Sequence, residues 1–326
     1  MTAASRFLED AGVRYPVVCG AMYPCSNPEL VAAVSEAGGL GVIQPLSLAY
    51  VHSGSFQAGL DRIRELTDAP LGFNAIVEKS VKAYERRMRT WIEQALAADV
   101  RFFVTALGNP AWVCELVHAA GGKVYHDVTA LRWAEKARDA GVDGFICVNA
   151  RAGGHAGTAT PEALFEELAP LGMPLVCAGG VGNEEQFVRM LDLGYEGVQM
   201  GTRFIATPEC SVHPGYREAI VAADEDDVVL TDKLSGVDVA VLRNADLDRA
   251  GYRAGPLARW LLRGRRTKHW MRTWYALRSL RSLKRSSREG LGYRDVWQAG
   301  KSVAGVRAVE PAGAIVERFG RAWAER

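Results

Sequence analysis

Residues Pro174–Gly182 read PLVCAGGVG, and residues Gly197–Arg203 read GVQMGTR. Each stretch opens as a short, mostly apolar run that leads into glycine. Near-continuous apolarity over four to six residues, without alternation, fits a strand buried on both faces of a parallel sheet. Glycine at the strand end lets backbone N–H groups approach a phosphate, and a helix start beyond it adds a favourable dipole. Six further runs of the same kind lie upstream, at Pro16–Gly20, Gly41–Gln44, Leu71–Val77, Phe102–Ala106, Lys123–His126 and Gly144–Asn149. Helical patterns separate them over Ser80–Ala98, Trp112–Ala119, Ala130–Ala140, Pro161–Leu168 and Asn183–Leu193. Another follows Asn27 and Pro28, a cap and first-turn proline, and stops at Gly38-Gly39. Eight β-then-α units predict a (β/α)8 TIM barrel in preference to a doubly wound sheet. In that fold the active site sits at the C-terminal ends of the strands, with phosphate held after strands seven and eight.

A barrel takes roughly 250 residues, so a chain of 326 leaves room for an appendage. The expected division is a barrel over 1–222 and a mostly helical, Arg/Trp-rich extension over 223–326, packed near the barrel mouth. Thirty-nine Lys and Arg against 38 Asp and Glu give a net charge of +1, which selects no partner for the molecule as a whole. Six cysteines occur with no CxxC pairing and no histidine at zinc-ligand spacing, so they read as small buried hydrophobes in a reducing compartment, and no metal is expected. The N-terminal residues carry acids early and lack an apolar signal core, and no run approaches ~18 uncharged apolar residues. The expected location is cytoplasmic.

The sixth strand runs into Asn149–Thr158, NARAGGHAGT. His155 stands among residues too small to crowd a ligand, and imidazole exchanges protons near neutral pH. A loop histidine is ordinarily a surface residue. The strand-six mouth and the flanking glycines make His155 the candidate general base. His126, at the end of strand five, is a candidate for lining the same site.

Several ordered runs resemble the nitronate monooxygenase family, formerly the 2-nitropropane dioxygenases, and its sister group, the FMN-dependent enoyl-ACP reductase II enzymes. They are GAMYPCSNPELVAAVSEAGGLGVI (Gly20–Ile43), GFN (Gly72–Asn74), AGGHAGT (Ala152–Thr158), PLVCAGGVG, GVQMGTRFIATPECSVHP (Gly197–Pro214) and, late in the chain, YRDVWQAGKSVAG (Tyr293–Gly305). The resemblance implies an FMN-loaded barrel. It places Ala21 and Met22 against the flavin, gives Asn74 a hydrogen bond to it and brings Gly153 close. Gly179, Gly180, Gly201 and Thr202 hold the phosphate, while Gln199 and Met200 complete the strand-eight wall. His155 matches the base of nitronate-forming members. The implied activity is oxidation of alkyl nitronates or nitroalkanes with dioxygen. The alternatives are an NAD(P)H-dependent reductase of enoyl thioesters or quinones, and a flavin-binding protein without turnover. The chain departs from the family at Arg151, where Glu is frequent, at Val148, where Gln is frequent, and at Asp127 or His126, where some relatives carry Lys. Arg151 attracts an anionic ligand if it turns inward and is a solvated charge if it does not.

Between Gly251 and Arg288 no acidic residue occurs, while twelve Lys or Arg fall there, interleaved with Trp260, Trp270, Trp274 and Tyr275. This is either an amphipathic cover packed on the barrel or a dock for an anionic acyl carrier, an acyl-CoA, NAD(P)H or an anionic surface. No nucleic-acid partner is expected, because no recognised binding module is present.

Overall fold

A computed structural model describes residues 5–78, 82–232, 238–244, 248, 251–253 and 297–326. Eight parallel strands form a closed barrel in chain order. They are β1 (Val17–Cys19), β2 (Leu40–Ile43), β3 (Leu71–Ile76), β4 (Phe102–Ala106), β5 (Lys123–Val128), β6 (Gly144–Val148), β7 (Leu175–Ala178) and β8 (Gly197–Met200). Closure is made by β8 on β1, with Val18 opposite Gln199. The (β/α)8 expectation holds, and each strand lies within a residue or two of its predicted run.

Helices Pro28–Glu36, Lys82–Ala97, Ala111–Ala119, Leu131–Asp139, Pro161–Leu168 and Glu184–Leu193 fill the predicted connections. The helix Phe56–Leu66, between β2 and β3, is absent from the sequence reading. Its signals are nonetheless present: Ser55 accepts a hydrogen bond from the Ala58 N–H at 3.1 Å, and Phe56, Leu60 and Ile63 repeat at helical spacing on the buried side. Asn27 stands at its predicted cap position without capping its own helix. Its amide instead donates to the Glu209 carbonyl and accepts from the Ser211 N–H, tying the start of the first barrel helix to the segment after β8.

Side chains alternate across each strand. Val18, Leu40, Val42, Phe102, Val104, Tyr125, Ile146, Val176 and Ala178 pack together inside the barrel, with Phe7 from the helix Arg6–Ala11. Phe7, Phe102 and Tyr125 plug it with ring centroids 4.8 to 6.0 Å apart. Glycine makes room for them. A Cβ on Gly144 would lie 2.4 Å from the Tyr125 ring, and one on Gly197 would lie 2.9 Å from Phe7. The opposite strand face packs against the helices in a second, larger core.

β8 runs directly into the four-residue helix Thr202–Ile205, too short to cover the closing seam, and a nine-residue helix, Pro214–Ala222, comes after it. The helix Ala312–Ala324, predicted over Ala312–Trp323, covers the seam. It packs on β1 and on helices Pro28–Glu36 and Glu184–Leu193, burying Ile315, Val316 and Phe319. Phe319 meets Phe187 edge-on at 5.0 Å. The extension also contributes an antiparallel pair, β9 (Val228–Thr231) and β10 (Val239–Leu242), that the sequence pattern does not predict. The basic run from residue 254 onward, with the tryptophans it carries, lies outside the described residues. All six cysteines are free and buried. Among the described residues no helix is long and apolar enough to cross a membrane.

The aromatic plug makes Gly144 a packing requirement. Gly144→Ala is expected to lower stability by about 1–3 kcal/mol through overpacking against Tyr125. Urea unfolding should show an earlier midpoint with little change in slope, and an unchanged midpoint would mean that the plug tolerates the methyl group.

Candidate active site

The C-terminal strand ends gather most of the residues singled out above. Asn74 projects inward from β3, is 8% exposed, and its amide donates to the Val104 carbonyl at 3.4 Å. Ala21, just past β1, packs against the interior cluster. Met22 follows it, held by a 2.9 Å hydrogen bond from its N–H to Ser26 Oγ, and its sulfur lies 3.2 Å from where a Gly201 Cβ would stand. Gln199 turns inward from β8 and lies against Gly20. Met200 does not join this group. Its side chain belongs to the outer core, and it reaches the strand end only through its carbonyl, which accepts from the Gly20 N–H at 3.0 Å.

Gly179 and Gly180 both have positive φ, at 116° and 83°, where a side chain would be strained. They are also close-packed. A Cβ on Gly179 would meet the Ala152 nitrogen at 2.5 Å, and one on Gly180 would meet Arg151 Nε at 2.5 Å. The N–H groups of Gly179, Gly180, Gly201 and Thr202 make no backbone hydrogen bond with any described residue. Donors from two adjacent loops at one end of the barrel suit a phosphate, so the residues present fit a phosphate-bearing cofactor such as FMN. Thr202 Oγ1 accepts from the Gly300 N–H at 3.0 Å, which leaves its hydroxyl hydrogen to donate.

The β6 loop is organised by Asn149, which the sequence reading passed over. Fully buried, it donates to the Gly179 carbonyl at 3.0 Å and accepts from the Arg151 N–H at 2.8 Å, so one amide pins the β6 loop to the β7 loop. An asparagine at a strand end before a glycine-rich loop is the signal that marks it. His155 stands further along this loop, between Gly154, which pairs with Ala240 of β10, and the chain's return at Gly157. The imidazole keeps exposed surface, yet the protein around it lowers its pKa by desolvation, so the neutral form prevails at pH 7. Arg151 takes neither orientation left open by the sequence. It crosses Gly180 and forms an ion pair with Glu225.

At the end of β5 the pleat separates two candidates. Asp127 shares the inward face with Tyr125. His126 turns to the outer side, 2.8 Å from Thr105 Oγ1, with its pKa pushed down to about 4 by burial. His126 is a neutral packing residue, and the expectation that it lines the site is corrected by the pleat. The Asp127 Oδ1 is enclosed with no hydrogen-bond partner among the described residues, and burial raises the carboxyl to about 7.

The late segment 297–305 closes over all three glycine loops. Gly153 and Gly300 pack so closely that a Cβ on Gly153 would lie 2.8 Å from the Gly300 nitrogen. The Lys301 N–H donates to the Arg151 carbonyl at 2.9 Å, and a Cβ on Gly182 would strike the Ser302 carbonyl. Trp297 stacks on Tyr216 at 5.6 Å. Residues 297–305 of the late motif are therefore part of the barrel mouth.

Comparison with known proteins agrees with this architecture. A family model described as nitronate monooxygenase matches residues 5–269. A (3aS,4S,5R,7aS)-5-hydroxy-7a-methyl-1-oxo-octahydro-1H-indene-4-carboxyl-CoA dehydrogenase of Rhodococcus jostii is 30% identical over 247 residues, covering 76% of this chain and 67% of that protein. A nitronate monooxygenase of Pseudomonas aeruginosa is 29% identical over 274 residues, covering 71% of this chain and 77% of its own. The structure of FabK from Thermotoga maritima superposes with a TM-score of 0.80 at 27% identity, over 99% of this chain and 97% of that one. With its closed barrel, glycine loops and β6-loop histidine, the chain belongs to the nitronate monooxygenase family and is an oxidoreductase of that family.

Proposed function

We propose that this enzyme is an FMN-dependent oxidoreductase of nitronate monooxygenase type, acting on alkyl nitronates and their parent nitroalkanes. The observation that carries the reading is a neutral imidazole, His155, on the β6 loop at the barrel end that also presents four N–H groups with no backbone partner among the described residues. Gly179, Gly180, Gly201 and Thr202 hold the FMN phosphate through their N–H groups. Asn74 hydrogen-bonds the flavin ring. Ala21, Met22 and Gln199 form the wall beside it, Gly153 allows close approach, and Met200 contributes backbone alone. Held there, FMN would supply the redox chemistry between the substrate and dioxygen. His155 removes the proton from the carbon bearing the nitro group, a step that requires the neutral imidazole.

A second reading has specific support in the relatives. One acts by its name on a carboxyl-CoA thioester, and FabK matches along nearly the whole chain. A thioester, like a nitro group, acidifies the adjacent C–H, so the same base serves an NAD(P)H-dependent reductase or dehydrogenase of acyl thioesters. In that case the basic run Gly251–Arg288 provides a site for an anionic acyl carrier.

Purified protein is expected to be yellow and to release FMN on denaturation. His155→Ala should keep the flavin and lose about 10²–10⁴-fold in kcat/KM on a neutral nitroalkane. Turnover of a preformed nitronate should suffer much less, since its proton is already gone. Because burial lowers the His155 pKa, the wild-type rate on neutral nitroalkanes should fall only on acidification below about pH 6.5, as the imidazole becomes protonated. Equal turnover by the mutant would remove His155 as the base. For the second reading, replacing Arg263, Arg265 and Arg266 by Ser should raise KM for an acyl-CoA at low ionic strength while leaving a small nitroalkane unaffected. The thioester reading also requires NADH or NADPH to bleach the flavin anaerobically, and a flavin that stays yellow with both excludes its reductase form.

A further inference from the structure

Asp127 has no assigned task, and its surroundings are unusual for a carboxyl group. It sits on the inward face at the C-terminal end of β5, one layer above Tyr125. On β6 Asp127 stands opposite Ile146 of the interior cluster, and on β4 the next inward position is Ala106, so both neighbours are apolar. Toward the helices, His126 of the same strand is neutral, and Cys147 of β6 is a thiol whose ionisation Asp127 further opposes. Arg151, the basic side chain of the β6 loop, is engaged by Glu225. Among the described residues no cation is paired with this carboxylate. The residue retains some accessible surface while its Oδ1 is sealed from solvent with no partner. A buried polar atom without a hydrogen bond is costly. An acid kept protonated by an apolar setting is a hydrogen-bond donor in need of an acceptor.

We propose that Asp127 is the acid partner of this active site: its protonated carboxyl donates a hydrogen bond to the substrate oxygen that gathers negative charge as His155 removes the substrate's proton. The step balances without another reactant. The C–H bond breaks, its proton goes to His155, and its electron pair delocalises onto a nitro or thioester oxygen. The Asp127 O–H then meets that oxygen. In a site screened from water such a donor acts strongly on developing charge. The carboxyl has the right protonation state up to neutrality because burial raises it to about 7. This inference rests on the proposed function, since it needs an acidic C–H substrate over the barrel mouth.

The test is binding of a preformed alkyl nitronate to the holoenzyme, followed through the flavin absorption from about pH 6 to about pH 9, in wild type and in Asp127→Asn. The asparagine is isosteric and remains a donor, but it does not titrate. Wild-type affinity should fall about tenfold per pH unit above neutrality, as the carboxyl ionises and repels the anion. Asp127→Asn should lack this slope. The two should bind alike near pH 6, and the variant about a hundredfold tighter near pH 9. Parallel pH profiles for the two proteins would overturn the proposal while leaving His155 chemistry intact. If the substrate-free flavin spectrum titrates near neutrality in wild type but not in the variant, Asp127 acts on the flavin and the proposal also fails. If the variant does not retain flavin, a wild-type profile that is flat above neutrality is by itself sufficient to overturn it. Failure of the wild type to bind any nitronate would instead remove the proposed function, and this inference with it.

Discussion

The pairing of β8 with β1 is the constraint on which the remainder of the molecule depends. It is short, with Val17, Val18 and Cys19 opposite Val198, Gln199 and Met200, and it is extended on either side by the Val198 N–H to the Pro16 carbonyl and the Gly20 N–H to the Met200 carbonyl. Without it the sheet would present two open edges, and the strand ends would not form a ring. The closure is supported from both faces. Inside, Phe7 fits only because Gly197 has no side chain. Outside, the helix Ala312–Ala324 lies across the seam. The connection to that helix is anchored by Arg203, 1% exposed, which donates to the Ala308 carbonyl and pairs with Glu310, itself bridged to Arg318. Removing one partner of such a buried pair leaves an uncompensated charge, so the seam depends on residues about a hundred positions apart.

Closure brings loops from distant parts of the chain to one end, and there the backbone does much of the positioning. Asn149 couples the β6 and β7 loops. Segment 297–305 then packs on both and on Thr202. Glycine recurs at these contacts because backbone meets backbone, with no room for Cβ atoms. The phosphate-type donors are thus held by a framework that spans both the barrel and the late part of the chain. Small substitutions at Gly153 or Gly300 would act on the site through this framework although neither carries a reactive group.

The electrostatics of the mouth follow from the desolvation of its titratable groups. Desolvation moves His155 down and burial moves Asp127 up to about 7, so the imidazole is neutral at pH 7 and the carboxyl is protonated on the acid side of it. An imidazole and a carboxyl that are both uncharged on the acid side of neutrality suit the proposed reaction, which generates charge, because little charge must be desolvated before substrate binds. Arg151, whose sign differs from the glutamate frequent in the family, is neutralised by Glu225 and leaves the mouth without a fixed local cation from this position.

Much of this was legible in the chain itself. Short apolar runs ending in glycine, separated by amphipathic stretches, located all eight strands, because strands buried on both faces leave a local, near-continuous hydrophobic signal. The glycine pairs and the small-residue loop around His155 marked the functional end for the same reason: the constraint is local backbone geometry. What remained undetermined depended on contacts between residues far apart. Sequence could not choose between His126 and Asp127, since a one-residue difference in pleat exchanges their faces and only the register with β4 and β6 sets it. It could not show that Met200 turns away while Gln199 turns in, that Arg151 finds Glu225, or that Asn149 joins two loops. Nor could it assign the late glycines to the mouth, because Gly300 meets Gly153 only after the barrel has closed. Composition and periodicity determined the fold and pointed to the barrel end proposed to carry the site; burial and long-range packing decided which side chains face the mouth and in which direction their protonation shifts, since both depend on the surroundings that the folded chain supplies.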